Sequence, residues 1–163
     1  MRNCDCHPKH CCCRKKKEEK GIITKFVIGN NVSPLPTLSP PAMNPPTFLP
    51  LSTLTIKLDD ASDTVRFLAS IGSDTTNSTI FNNPLLGTVV EYQIIEVGSN
   101  RLVARFLNTD FDEATTTFTA FDMPGCGTFT YRLQAALVRN NDNTGEAILR
   151  VVFTAEEIEA NRN

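Results

Sequence analysis

Phe129-Thr130-Tyr131-Arg132-Leu133-Gln134-Ala135 alternates without a break, with apolar side chains at odd positions and polar ones at even positions. Successive side chains of a strand point to opposite faces, so this period of two marks a strand with one buried side. The pattern recurs in both directions along the chain. Leu54, Ile56 and Leu58 fall on one strand face, as do Val65, Phe67, Ala69 and Ile71, and Val90, Tyr92 and Ile94. Leu149, Val151 and Phe153 close the series. Turn-forming clusters punctuate it at Asp59-Asp60, Gly72-Ser73-Asp74, Asn82-Asn83-Pro84, Gly98-Ser99-Asn100 and from Asn140 to Gly145. Threonine-rich runs such as Thr115-Thr116-Thr117-Phe118-Thr119 suit solvated strand faces. About eight short strands, with turns roughly every 8–12 residues, predict an all-β sandwich of jelly-roll type over residues 52–158. A helix is expected only at the end, where Thr154-Ala155-Glu156-Glu157 has the form of a capping box. Residues 159–163 read as a tail.

Upstream of the sandwich the composition changes. The chain has 163 residues, the size of one domain with extensions. Seven of its ten prolines fall between Pro34 and Pro50. Proline fixes φ and removes an amide donor, so residues 21–51 read as an extended arm rather than a helix or a central strand. Ile22, Ile23, Val27 and Ile28, together with Leu35 and Phe48, make this arm apolar enough to dock on a partner subunit. The β-branched segment Gly21–Ile28 is the stretch most suited to adding itself as a strand to a neighbour's sheet edge.

Charge is unevenly placed. The formal net charge is −2, yet residues 1–20 hold seven Lys/Arg against three Asp/Glu. The remainder is mildly acidic, which argues against a nucleic-acid-binding domain. No stretch approaches the roughly 20 apolar residues that cross a bilayer as a helix. The run Gly21-Ile22-Ile23-Thr24-Lys25-Phe26-Val27-Ile28 is interrupted by Thr24 and Lys25, so no secretory signal is expected and the protein reads as soluble when made.

The β body offers no catalytic set. It contains no histidine, so a Ser-His-Asp or Cys-His arrangement cannot be built within it. Asp110, Asp112 and Glu113 lack the glycine and distal glutamate of an EF-hand loop and read as a solvated acidic turn. Pro124-Gly125-Cys126-Gly127 is not a phosphate loop, because no lysine follows. Cys126, the one cysteine of the body, lies between two glycines that imply a tight turn and an accessible sulfur.

The first twenty residues carry five of the six cysteines and both histidines. Three chemistries fit them. Zinc would use ligands such as Cys4, Cys6, His7 and His10, but structural zinc sites take two separated pairs and here all donors crowd together. Palmitoylation would suit Cys11-Cys12-Cys13 beside Arg14-Lys15-Lys16-Lys17. Intermolecular disulfides would use Cys4, Cys6, Cys11, Cys12 and Cys13 on the arm and Cys126 on the body, since leftover cysteines point to pairing between chains. The third reading also explains why the cysteines sit on a long arm. No cofactor is expected.

The combination of Cys11-Cys12-Cys13, the spacer 21–51, a single β body and Cys126 resembles the subunits of Bacillus endospore appendages (ENA) and related exosporium proteins. The resemblance implies a self-assembling structural subunit of a spore-surface fibre, not an enzyme. Subunits would stack head to tail, with the N-terminal connector of residues 1–20 bonding to cysteines of a neighbour and Cys126 as a candidate acceptor. It implies a homo-oligomer, ring or fibre, with other exosporium proteins as partners. Such proteins are made in the mother-cell cytoplasm and need no signal peptide. The alternative role is an anchor, or a tip with an adhesive face, attaching a fibre to the exosporium.

Overall fold

A computed structural model describes residues 23–39, 46–76, 88–110, 113–139 and 145–159. Among these residues there is no helix, and the chain forms ten strands. They are β1 (Ile23–Ile28), β2 (Asn30–Asn31), β3 (Thr37–Leu38), β4 (Leu49–Leu58), β5 (Thr64–Thr76), β6 (Thr88–Glu96), β7 (Arg101–Asp110), β8 (Glu113–Asp122), β9 (Gly127–Arg139) and β10 (Gly145–Ile158). One sheet runs β1-β10-β5-β8, with β3 also on β10; the other runs β2-β4-β9-β6-β7. All pairings are antiparallel. The chain crosses between the sheets at nearly every connection, and only β6–β7 is a hairpin among the long strands. This is the jelly roll that the alternation predicts.

The inner faces follow the period of two. Val65, Phe67, Ala69 and Ile71 of β5 are fully buried, and so are Tyr131, Leu133 and Ala135 of β9. Large and small side chains face one another across the strands: Phe153 is opposite Ala69, which is opposite Phe118. Phe67 sits at the centre, edge-on to Tyr131 at 4.7 Å between ring centroids and stacked on Phe153 at 5.9 Å. A second aromatic group stacks Phe106 on Phe118 at 5.1 Å. Such interlocked rings supply both buried area and a preferred geometry.

Two expectations need correction. Thr154-Ala155-Glu156-Glu157 is not a helix start but the end of β10. Val151, Phe153 and Ala155 continue the inward period, and β10 is paired on both sides, with β1 and with β5. A short isolated helix pays a nucleation penalty for few hydrogen bonds, whereas this ladder is already nucleated. The proline-rich arm is also not a plain tether. Ile23–Ile28 is a sheet strand, Val27 and Leu35 pack against the core, Leu38 is 1% exposed within it, and β4 begins at Leu49. The eight long strands of the sandwich therefore include β1, which comes from the arm. Pro34 and Pro36 lie between strands, where the Pro36 carbonyl accepts from Ile148 N–H at 3.1 Å, but Pro50 lies inside β4, opposite Gln134 beside a register shift, and the arm's β1, β2 and β3 each join a ladder.

Candidate functional site

The register places one set of chain segments at one end of the sandwich. Gly127 is opposite Leu58, Ile158 is opposite both Thr64 and Ile23, Asp122 is opposite Val65, and Glu96 is opposite Tyr131. The start of β1, the β4–β5, β6–β7 and β8–β9 turns, and the end of β10 thus gather together. Cys126 belongs to this end.

The β8–β9 turn presents Cys126. Gly125 and Gly127 have φ of 94° and 141°, conformations that L side chains rarely adopt, so both glycines are required for the turn to fold back into β9. Below the turn, Asp122 is held at the end of β8 by two donors, Tyr131 Oη at 2.9 Å and an Arg101 guanidinium nitrogen at 2.6 Å. Burial pushes the Tyr131 phenol far above its usual range, and the hydrogen bond to Asp122 adds to this. The turn stands on a fixed base. Cys126 itself is half-exposed and disulfide-bonded. Cys4, Cys6, Cys11, Cys12 and Cys13, with His7 and His10, lie outside the described residues, as does Ile22.

The neighbouring turns are rigid for similar reasons. Glu96 caps the β6–β7 turn, its carboxylate accepting from Gly98 N–H at 2.8 Å, Ser99 N–H at 3.0 Å and the Ser99 hydroxyl. The Ser99 hydroxyl leads in holding this carboxyl below the usual range, against the opposing effect of burial. In the β4–β5 turn the Asp60 carboxylate accepts from Ser62 N–H at 3.0 Å and the Ser62 hydroxyl at 2.8 Å.

The arm is fastened to the body by a charged clamp that the sequence did not advertise. A bulge in β1 between Ile23 and Lys25 turns two successive side chains toward Glu157 of β10. Thr24 Oγ1 donates to Glu157 Oε2 at 2.6 Å, and Lys25 Nζ lies 3.0 Å from both Glu157 Oε2 and Asp59 Oδ2. The Glu157 side chain is only 2% exposed. Burial alone would raise its pKa, but the bonds from Thr24 and Lys25 and the charge of Lys25 outweigh it and hold the carboxyl below the usual range. Lys25 is held up by the same pair of carboxylates against its own burial.

Of the predicted docking residues, Ile23 and Ile28 are on β1 and largely exposed, Val27 and Leu35 are half-buried on the core, and Phe48 is half-buried just before β4. They do not form one patch, because β1 alternates its side chains between the core and the outside. The strand expected to join a neighbour's sheet is paired with β10 of its own chain, through Ile28 opposite Thr154 and Val27 opposite Ala155. Among the described residues no cluster of three His, Cys, Asp or Glu side chains is placed to hold a metal. Asp110 and Glu113 end β7 and begin β8, and Asp112 lies outside the described residues.

The sequence matches no protein-family model and no curated protein sequence. Its fold is similar to solved structures. A chain of the T13 IBDV viral particle aligns with a TM-score of 0.46 at 11% identity, over 98% of this chain and 40% of that one. A carbohydrate-binding module, CBM36, solved with calcium and xylotriose, aligns with a TM-score of 0.36 at 16% identity, over 86% of this chain and 95% of the module. This chain thus spans about two fifths of the viral chain's length. These likenesses concern the fold alone.

Proposed function

We propose that this chain is a structural, self-assembling subunit of a spore-surface fibre or appendage, joined to its neighbours by the N-terminal arm and by intermolecular disulfides. The observation that carries this reading is the union of arm and linking end. Ile23, where β1 begins, lies at the sandwich end where Cys126, half-exposed between two positive-φ glycines, is already disulfide-bonded, so a link to a neighbour would form by thiol–disulfide exchange. The sequence resemblance to endospore appendage subunits supports the spore setting, with synthesis in the mother cell and oxidation after release. Cytosolic thiols stay reduced and surface thiols oxidise, so cross-linking would follow assembly.

Reach is not limiting. The strand rise makes the 14 residues of β10 about 45 Å long, and the 22 residues ahead of Ile23 can extend about 75 Å. A chain of that length would span a stacked neighbour, where bonding to its Cys126 would require exchange with the disulfide already there.

A second reading is favoured by one observation. Ile23, the first described residue of β1, lies at the same end as Cys126, so a short linkage would join like ends. That is the geometry of an anchor or a tip rather than a shaft.

Non-reducing gels of the full-length protein test both. Wild type should give a ladder that collapses with reductant, and Cys126→Ser should lose every rung above those formed by head cysteines alone. A ladder that stops at the dimer favours the anchor, and one that continues favours the shaft. An oxidised wild type that runs only as monomer would sink the cross-linked assembly.

A further inference from the structure

The outer face of the β1-β10-β5-β8 sheet carries a row whose order matters. In register across the four strands stand Phe26, Glu156, Arg66 and Phe121. Directly paired residues of antiparallel strands share a face, so all four point outward. Phe26 and Phe121 are 56% and 59% exposed, unusual for phenylalanine on a solvated sheet. Between them Arg66 Nε donates to Glu156 Oε2 at 2.8 Å. The next row adds Ile28, 66% exposed on β1, and Leu68, 44% exposed on β5.

We infer that this face binds a second copy of the chain, sheet against sheet, about a two-fold axis that runs along the strands between β10 and β5. The row reads apolar, acid, base, apolar. Rotated about that axis it reads in reverse, so Glu156 meets the partner copy's arginine, Arg66 meets its glutamate, and each phenylalanine meets the other kind. A two-fold axis across the strands would instead set acid on acid and base on base, which opposes association. A depression of about 300 Å³ lies across β10, β5 and β8 on this face, lined by Arg66, Leu68, Thr119, Phe121, Thr154 and Glu156.

Size is sufficient. Four strands span about 19 Å and ten residues about 33 Å, so face-to-face contact removes on the order of 1,200 Å² in total. That exceeds the roughly 1,000 Å² expected of a specific interface. The opposite outer face is built differently. There Arg132, Gln134, Gln93 and Glu91 form a hydrogen-bonded string that Arg105 closes, and Leu107, 50% exposed, stands opposite Glu91 on the same face.

This interface goes beyond the disulfide assembly, and it is tested with thiols reduced so that the two stand or fall separately. Sedimentation of the full-length protein in reductant should show a dimer. Arg66→Glu and Glu156→Arg should each weaken it at least tenfold, and an equimolar mixture of the two variants should restore a dimer, now mixed, because each supplies the charges the other lacks. Phe121→Lys carries the test if either reversal fails to fold by circular dichroism. A monomeric wild type in reductant overturns the inference, and so does a dimer that the reversals and Phe121→Lys leave intact.

Discussion

At the scale of single residues, glycine decides where the chain can turn. Gly29 follows β1 and hands the chain from one sheet to the other. Its N–H donates to the Phe153 carbonyl at 2.7 Å, and a methyl group in its place would lie 2.5 Å from Ser52 Oγ and 3.0 Å from Phe153 O. Ser52 is fully buried, so its hydroxyl has little room to retreat. Gly29→Ala should therefore destabilise the fold by about 1–3 kcal/mol, the usual range for overpacking, measured by denaturant unfolding. A variant as stable as wild type would mean that the crossing has room for the added methyl group. Gly125 and Gly127 were legible as a turn from sequence, since Gly-Cys-Gly before an alternating run has few other uses. Gly29 was not, because its constraint comes from residues far along the chain. Glu157 was misread for the same reason: as the last residue of a capping box it looks solvated, and only the β1 bulge and Asp59 reveal it as a buried carboxylate with donors on both oxygens.

At the scale of elements, β1 is the strand by which the arm joins the sandwich. It is an edge strand that pairs only with β10, and it is clamped through Glu157. The folded pKa of Glu157 is depressed, so its contribution to stability is fully present above the usual value of 4.5 and is lost as pH falls through the folded value. Acid should thus loosen β1 before the rest of the sandwich. The hydrogen-exchange protection factors of the amides of residues 23–28 should fall below about pH 4.5 while those of β9 hold, and Glu157→Gln should show that lower protection already at neutral pH. Equal loss of protection in β1 and β9 would show that the clamp is not local. The alternation of β4, β5, β6 and β9 could be read directly from sequence, since each buries one face; in β10 Val151 and Phe153 followed the expected face, but a register shift between Ile148 and Arg150 turns Leu149 outward, 57% exposed, and buries Ile148. β7 and β8 were harder, because as edge strands they leave Leu102, Leu107 and Phe121 exposed. β1 was legible as a strand but not as a strand of its own domain. Nothing local distinguishes pairing with β10 of the same chain, about 130 residues away, from pairing with a neighbour.

At the scale of the whole molecule, the jelly roll is a rigid block with unlike surfaces. One end carries the cysteine turn and the start of β1, one sheet face carries a hydrogen-bonded polar string beside exposed Leu107, and the other carries the Arg66–Glu156 pair between exposed Phe26 and Phe121. On the proposed reading, such a block would assemble through a covalent link at an end and a non-covalent contact on a face. The links differ in chemistry, so they can be separated experimentally. Negative-stain electron microscopy of the full-length protein, oxidised and then reduced, tests the central claim most directly. The account predicts ordered fibres, rings or end-linked clusters in the oxidised sample that break into small uniform particles with reductant. Dispersed single-domain particles in both conditions would contradict it.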